Sequence, residues 1–492
     1  MADADAPPDR DAEDLERFGY AQQLMRGMGG FSNFALSFSI ISVLTGAVTL
    51  YGHGLRFGGP LVMSLGWPLV TIMTLPAAAS LAQLASSFPT AGALYHWSAL
   101  LGGPGWGFLT AWLNTIGQFA ITAGIDYGLA EFLVPMLGLP PDRATILAVY
   151  VAILFSHAVL NHIGVRVVAI LNDLSAWYHL AGVAIFVGAL AFATRQNAAF
   201  LLTSLTGEAS KIAPSAPLAY GFLIGLLQAS WTFTGYDASA HVTEETVDPT
   251  RKAPWGIFLS VCVSGVAGYV LVLAVTLAIP DLDAAAAADN PFIFVLRRSL
   301  GDGIGAALVW LAMGAMWFCG LASVTSNSRM LFAFARDGGL PAASLLARVS
   351  PRWKSPFVAV WVSAAAALLV AVWAKAYSAM VALSTIALYA SYALPIAVGL
   401  AARRSGKWRL RGPWDLGRFS TVVNALALAW LGAMIVVFVL PPNQLAGYTF
   451  AGSLAVLALY WFGWMRTRFQ GPRVSIEALE AAALRSREST LG

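Results

Sequence analysis

Two short stretches of the chain place a Thr-Gly pair and several hydroxyl side chains inside long apolar runs. One is SVLTGAVT, around Thr45 and Gly46. The other is WTFTGYDAS, around Thr234 and Gly235. Glycine inside a helix costs about 1 kcal/mol relative to alanine, and nearby hydroxyls can satisfy backbone groups that a break in the helix frees. The stretches therefore indicate either interrupted helices or helices that pack closely through small residues.

An interrupted helix inside a membrane offers backbone groups that can bind a small solute. Freed N–H groups at the start of a half-helix can hold an anion, and freed carbonyls at the end of one can hold a cation. A zwitterionic amino acid needs both. The two glycines lie 189 residues apart, in the first and sixth of the apolar runs counted below, so a five-span repeat would place its second copy upside down. That arrangement is typical of secondary transporters, which bind solute between broken helices.

One acidic residue lies beside the second of these stretches. Asp237 follows Gly235 by two positions, and a charged side chain at the centre of a membrane costs at least ~2.5–3.5 kcal/mol. Its carboxylate is therefore a candidate to attract a substrate cation or to act in gating. The alternative is a structural partner for freed backbone N–H groups. Gln118, in the third apolar run, is a candidate to line the same pathway or to support packing.

Two adjacent acids, Glu244 and Glu245, follow the sixth apolar run. One interpretation is a solvated helix end whose surface ion pairs contribute little to stability. The other is a gate at the inner mouth of a pathway, in which these acids pair with Arg329 or Arg336 when the gate is closed.

The composition indicates what kind of scaffold positions these residues. Hydrophobic residues make up 58% and charged residues 11% of the 492, against roughly 45–50% and 25% in soluble domains. So few charges cannot cover the surface of soluble domains, and an integral membrane protein is expected. A span needs about 20 mostly apolar residues. Twelve such runs are present, at 31–51, 60–82, 105–134, 145–161, 167–193, 218–240, 255–279, 304–334, 357–374, 379–402, 421–440 and 448–464.

The basic residues orient these twelve transmembrane helices. With the N-terminus in the cytoplasm, 22 of the 29 Lys and Arg fall in cytoplasmic segments and 7 on the other side, as the positive-inside rule requires. We therefore expect an all-α multi-pass protein of the plasma membrane with both termini cytoplasmic. The expected divisions are a tail at 1–26, a transmembrane domain at 27–467 and a tail at 468–492, with repeats at 31–194 and 218–402 and the last two helices at 419–466.

Several protein classes fit the sequence poorly. Membrane transferases, the rival class, need clustered His, Asp or Glu at one membrane face, and no such cluster is readable. No glycine-rich nucleotide motif follows a strand pattern, and Cys262 and Cys319 have no metal-ligand spacing. The formal charge of +4 is spread along the chain, unlike that of a nucleic-acid-binding protein. We expect a carrier without catalytic residues, cofactor or metal, whose partners are a small solute and the lipid bilayer; the oligomeric state stays open.

Four further segments carry a family resemblance. They are SSFPTAGALYHW at 86–97, GYDASAHVTEETVDPTRKAP at 235–254, SNSRMLFAFARDGGLP at 326–341 and the opening at 20–59. Together they resemble the amino acid–polyamine–organocation (APC) transporter superfamily. The opening is similar in particular to the amino acid/choline transporter branch, which includes permeases for γ-aminobutyrate, choline and related amines. The chain departs from this pattern at Gln83, where relatives often carry a glutamate.

The resemblance implies a fold and an activity. The fold is a 5+5 inverted repeat with discontinuous helices 1 and 6 and with helices 11 and 12 at the periphery. The activity is that of a secondary permease, which imports an amino acid or a small amine by alternating access. The specificity is not readable from the sequence. A neutral zwitterion, γ-aminobutyrate, a choline-like or polyamine cation and a nucleobase all stay open as substrates.

The resemblance also places candidate substrate-binding residues. In the first span, the N–H groups of Thr45 and Gly46 would meet a carboxylate, and in the sixth the backbone at 233–235 would meet an amine. Trp231 would form an aromatic gate, and Asp237 takes the position of an acid that follows the break in many relatives. The full set is Thr45, Gly46, Ala47, Gln118, Trp231, Phe233, Thr234, Gly235 and Asp237.

A histidine in the fifth span suggests ion coupling. His179 lies where many sodium-independent relatives place a lysine, whose charge occupies the space that a sodium ion fills in other members. Histidine is the side chain whose ordinary pKa lies closest to neutral pH, so His179 is a candidate proton carrier. The alternative is a histidine that bonds a neighbouring backbone carbonyl or Asp173.

Overall fold

The computed structural model describes residues 10–374 and 377–481. Parts of both predicted tails, 1–9 and 482–492, lie outside the described residues. Within the described residues the chain is helical and contains no strand, apart from an isolated bridge between Met28 and Thr246. The expected all-α fold is confirmed for this part of the chain.

We number the helices by the predicted span to which each corresponds. Spans 1 and 6 each consist of more than one helix, and a short helix, Leu94–Gly102, precedes span 3. The bounds are Gly30–Ile41, Val43–Thr49 and Tyr51–Gly58 for span 1 and its extension, Trp67–Ser87 for span 2, Pro104–Met136 for span 3, Arg143–Ile163 for span 4, Val165–Ala191 for span 5, Pro217–Gly225, Leu227–Thr232 and Ala238–His241 for span 6, Pro249–Leu277 for span 7, Pro291–Arg336 for span 8, Phe357–Trp373 for span 9, Tyr377–Arg404 for span 10, Ser420–Phe438 for span 11 and Gln444–Gly463 for span 12.

Ten helices among the described residues are long and apolar enough to cross a membrane. The predicted sixth span belongs to an eleventh candidate, a pair of helical segments, Ala198–Ile212 and Pro217–Thr232, bent by 101°. The predicted ninth span, Phe357–Trp373, is apolar but has only 17 residues, which cover about 25 Å at ~1.5 Å per residue. A multi-pass membrane protein is confirmed, whereas the number twelve and the inverted repeat stay predictions.

Span 1 is broken earlier than its Thr-Gly pair suggests. The first half ends at Ile41, the second half begins at Val43, and Ser42 between them has a φ of 32°. Left-handed backbone is unfavourable for a residue with a Cβ, and polar partners of the Ser42 side chain, given below, hold it there. Thr45 and Gly46 lie inside the second half-helix. The prediction that the first helix breaks at this pair is therefore wrong by about one helical turn.

Span 6 is broken where the sequence predicts. The helix ends at Thr232 and resumes at Ala238, and Gly235 between them has a φ of 88°. Glycine adopts this conformation without the steric penalty of a Cβ. The residue type alone therefore locates the second break.

Part of the predicted N-terminal tail, 1–26, packs against the helix bundle. Residues 20–29, which we call the N-terminal strap, lie across the loop that follows span 6. The N–H groups of Gly27 and Met28 each donate to the carbonyl of Glu245 over 2.9 Å. We call the side of the bundle where span 1 begins and the strap lies the N-terminal face. The buried side chains of this N-terminal segment are Leu15, Tyr20, Leu24 and Met28.

Candidate functional site

The two broken helices pack against each other at their glycines. A Cβ added to Gly46 would lie 2.9 Å from the Cα of Thr232 on span 6. A Cβ added to Gly235 would overlap the side chain of Ile40 on span 1. Neither position has room for a Cβ, so spans 1 and 6 approach each other this closely only because both residues are glycines.

A small cavity lies between the two breaks. Its volume is about 10 Å³, roughly the space that one water molecule occupies. Larger grooves of about 450 and 430 Å³ lie on the outer surface of the bundle and do not include either Thr-Gly pair. A solute the size of an amino acid therefore requires spans 1 and 6 to move apart. The cavity is lined by Ile40, Ile41, Thr45, Gly46, Ile121, Ile125, Trp231, Thr232 and Cys319.

The backbone groups predicted to hold a carboxylate are engaged in this conformation. The N–H groups of Thr45 and Gly46 donate to the carbonyl of Ser42, over 2.8 and 3.0 Å. Because the second half-helix begins at Val43, its unpaired first-turn N–H groups belong by position to Val43 and Leu44. Contact of a substrate with the Thr45 and Gly46 N–H groups stays a prediction for another conformation.

The backbone of the second break is also engaged. The N–H of Phe233 donates to the Ala229 carbonyl over 2.9 Å, and that of Thr234 donates to the Trp231 carbonyl over 3.1 Å. The N–H of Gly235 does not follow the hydrogen-bond pattern of a helix and donates instead to the hydroxyl of Tyr392, on span 10, over 3.0 Å. This last bond fixes the conformation of the break from outside the helix.

Trp231 covers one side of the cavity. Its indole N–H donates to the hydroxyl of Ser384 on span 10 over 3.0 Å, and its ring meets that of Tyr377 edge-on at 6.4 Å. The side chain is buried and belongs to the cavity wall. This position is consistent with an aromatic gate, and the gating role stays a prediction.

Asp237 is the centre of a polar network away from the cavity wall. Its carboxylate accepts hydrogen bonds from the Tyr392 hydroxyl at 2.9 Å and from the Asn114 amide at 3.1 Å. Nε2 of His241, one helical turn later, lies 3.1 Å from the same carboxylate. Three side chains from three spans thus hold Asp237. These contacts favour a structural role over direct contact with a substrate, but the partners are side chains and not the freed backbone N–H groups expected from the sequence.

Five other predicted substrate-binding residues also lie outside the cavity wall: Ala47, Gln118, Phe233, Thr234 and Gly235. The amide of Gln118 donates to the hydroxyl of Ser326 on span 8 over 3.2 Å. The carbonyl of Ala47 accepts a hydrogen bond from the amide of Gln228 on span 6 over 3.0 Å. Gln118 and Ala47 both join neighbouring helices, and in this conformation neither is positioned to reach a solute between the breaks.

His179 connects span 5 to the break in span 1. Its Nε2 lies 2.6 Å from the hydroxyl of Ser42, and that hydroxyl lies 2.6 Å from the hydroxyl of Thr45. Its Nδ1 lies 2.8 Å from the carbonyl of Ser175. A carbonyl only accepts, so Nδ1 carries a proton and Nε2 binds the hydroxyl. These neutral partners favour the alternative of a histidine that bonds a neighbouring carbonyl.

The N-terminal face is closed by two buried ion pairs. Arg336 donates to both oxygens of Glu244, over 2.8 and 2.9 Å, and Arg329 contacts Glu245 at 3.2 Å. The four side chains are between 0% and 5% exposed, so they do not form the solvated helix end considered from the sequence. The pairing is the one predicted for a closed gate, and the gating role stays a prediction.

The strap and span 8 extend this closure. The Arg336 guanidinium stacks on the Tyr20 ring at 3.9 Å, and the Tyr20 hydroxyl donates to Asp337 over 2.8 Å. Burial by itself would raise the pKa of the Asp337 carboxyl, but hydrogen bonds from His96 and Tyr95 and the nearby charge of Arg336 lower it below its ordinary value. The carboxylate form is thereby favoured at the end of span 8.

Sequence reasoning missed Ser42, Tyr392 and Asn114 among the residues that shape the two breaks. Tyr392 and Asn114 lie on spans 10 and 3, and no local spacing connects them to span 6. The pairing of Asp237 with His241 was readable, because residues four apart on a helix face each other.

Residues 28–464 match the family model described as "Amino acid permease". The chain is 36% identical to amino-acid permease BAT1 of Arabidopsis thaliana over 93% of this chain and 95% of that protein. It is 36% identical to a BAT1 homologue of Oryza sativa subsp. japonica, over 94% and 95% of the two chains. Amino-acid permease 2 of Neurospora crassa is 26% identical over 93% and 88%.

Proposed function

Because this chain belongs to the amino acid permease family of the APC superfamily, we propose that it is a secondary active transporter of an amino acid or a small amine. Family membership places it among transporters rather than among the membrane transferases considered as a rival. The observation that supports the proposal most is the contact between two interrupted helices at Gly46 and Gly235, with a cavity beside them.

The proposed mechanism is alternating access. In the present conformation the cavity is too small for a solute, and the N-terminal face is closed by the pairs Glu244–Arg336 and Glu245–Arg329. Transport requires these pairs to separate when the solute leaves toward that face. We place the N-terminal face in the cytoplasm and the protein in the plasma membrane, in line with the distribution of Lys and Arg.

The substrate class follows from the chemistry of the two breaks. A half-helix start can hold a carboxylate, and a half-helix end can hold an amine. The cavity wall contains hydroxyl, thiol, indole and aliphatic side chains and no charged one. A neutral zwitterion therefore fits better than a strongly cationic amine, because the wall offers no carboxylate to a second positive charge.

Counterflow in proteoliposomes tests the proposal. Vesicles are loaded with a mixture of proteinogenic amino acids and γ-aminobutyrate, and entry of the same compounds, radiolabelled and added outside, is measured. A carrier exchanges internal for external solute, so we expect rapid label entry only in loaded vesicles that contain the protein. Equal entry into loaded and unloaded vesicles, or none, would refute the proposal.

We expect Asp237→Asn to change stability more than specificity. The substitution places an NH₂ group where the carboxylate accepts from Tyr392, Asn114 or His241, and a lost buried hydrogen-bond partner costs about 1–3 kcal/mol. Thermal unfolding in detergent should show the loss, while competition among amino acids should show an unchanged order of preference. A reordered preference at unchanged stability would assign Asp237 to the substrate instead.

We expect His179→Gln to slow transport without changing its pH profile. His179 holds Ser42 at the first break. The loss of one buried hydrogen bond, worth about 1 kcal/mol, corresponds to a transport rate that is roughly fivefold lower. The measurement is uptake between pH 5 and 8 for both proteins. A flattened profile in the variant would show that His179 is the proton carrier proposed from the sequence.

A further inference from the structure

A second buried acid–histidine pair lies in the membrane region, apart from the residues considered so far. Nδ1 of His157, on span 4, lies 3.1 Å from Oδ2 of Asp126, on span 3. Both side chains are fully buried. Ionisable side chains at this depth are rare in membrane proteins and are usually functional.

The pair has unused capacity for a proton. Among the described residues, Oδ1 of Asp126, Nε2 of His157 and the hydroxyl of Tyr150 have no hydrogen-bond partner. Buried polar atoms are almost always paired, so three unpaired atoms in one place require an explanation. A carboxylate oxygen and an imidazole nitrogen are both groups that accept a proton.

The charge of the pair is not balanced by other groups in the described structure. A neutral His157 beside an ionised Asp126 leaves one negative charge, and in the described part of the chain Asp126 forms an ion pair only with His157. Other titratable side chains that interact with Asp126 are Tyr150 from span 4 and Cys319 from span 8; Glu131 lies further along span 3 and faces Tyr377 of span 10. One added proton makes the pair neutral.

The pair lies directly behind the cavity wall. Ile125 and Cys319 line the cavity. The residue after Ile125 is Asp126 of the pair, and the residue after Cys319 is Gly320, which packs against the pair. A Cβ at Gly320 would overlap Oδ1 of Asp126 and would lie 2.6 Å from Cε1 of His157. A movement of span 3 or span 8 that enlarges the cavity therefore also changes the surroundings of the pair.

We propose that Asp126 and His157 together form the proton-binding site that couples transport to a proton gradient. The pair takes up one proton from the side on which the solute enters, carries it while the cavity is closed, and releases it to the opposite side with the solute. The charge of the pair is balanced by this proton, and the proposal invokes no other ion. The proposal rests on the function proposed above and adds the coupling ion and its site.

The test compares proton-driven accumulation with exchange in the same proteoliposomes. The probe is the radiolabelled mixture of amino acids and γ-aminobutyrate. A gradient of one pH unit, alkaline inside, should drive up to about tenfold accumulation in a one-proton carrier. We expect Asp126→Asn to lose this accumulation and to keep counterflow within about twofold, because exchange needs no net proton movement. The matched control, Asp173→Asn, removes a half-buried acid of span 5 and should accumulate like the wild type.

The outcomes are distinguishable. Accumulation by Asp126→Asn at the level of the wild type would overturn the proposal. Wild-type counterflow without any response to the pH gradient would also overturn it and leave the transport function standing, whereas absence of wild-type counterflow would remove the transport function itself.

A measurement on the wild type covers the case in which Asp126→Asn does not fold. Proton exchange with a weakly buffered medium, followed with a pH dye when the same mixture is added to the purified protein, should approach one proton per molecule. His157→Gln should reduce it strongly. No proton exchange by the wild type would overturn the proposal.

Discussion

Replacing Gly46 by alanine should nearly abolish transport. A Cβ at this position would lie 2.9 Å from the Cα of Thr232 and would overlap its hydroxyl, so spans 1 and 6 would have to separate at the breaks. Overpacking of this kind costs about 1–3 kcal/mol, and because it acts where solute is bound we expect a loss of roughly tenfold or more. The measurement is counterflow in proteoliposomes at matched protein content.

A glycine elsewhere provides the control for this substitution. Gly188, on span 5, has no atom within 4 Å of the position that a Cβ would occupy, and alanine is the better helix former. Gly188→Ala should therefore transport like the wild type. Equal activity of both alanine variants would show that the contact between the breaks is not needed.

Removing one partner of the Glu244–Arg336 pair should open the N-terminal face. Both side chains are almost fully buried, and an uncompensated charge left in such a place costs about 3–5 kcal/mol. Glu244→Gln and Arg336→Gln should each destabilise the present conformation by an amount of that order. The double variant, which removes both charges of this pair, should lose less stability than the two single losses added together.

Thermal unfolding and labelling of single cysteines placed on the N-terminal face measure this effect. The control is the ion pair Lys211–Glu208, whose side chains are 69% and 46% exposed; Glu208→Gln should change neither quantity appreciably. Additive losses in the double variant, or single variants as stable as the wild type, would contradict a gate held by this pair.

Local properties of the sequence predicted the scaffold well. Apolar runs of the required length indicated a multi-pass membrane protein, and Gly235 located the second break because glycine tolerates the conformation that a break needs. The pairing of Glu244 and Glu245 with two arginines was also among the predicted alternatives. These features depend on local residue type or on charges that have few possible partners.

The features that the sequence could not give depend on contacts between distant segments. Gly46 suggested a break, but the structure uses this glycine for close approach to Thr232, and the break lies at Ser42, whose hydroxyl is bound by His179 and Thr45. The docking of the strap was not predicted either, because its composition does not reveal the carbonyl of Glu245 that binds Gly27 and Met28. Likewise, no spacing connects Asp126 to His157.

A solute that fills the space between the two breaks must shield Cys319, so the rate of Cys319 alkylation shows whether the solute binds there. Cys319 lines the cavity and is 1% exposed in the closed conformation. In a Cys262→Ser background it is the single thiol, and Cys319→Ser with Cys262 retained is the control. A permeant maleimide should react with Cys319 as the cavity opens, and saturating amino acids with γ-aminobutyrate should slow that reaction by roughly tenfold while leaving Cys262 unaffected. Reaction of Cys319 at the same rate with and without these solutes, or no reaction at all, would contradict a binding site between spans 1 and 6.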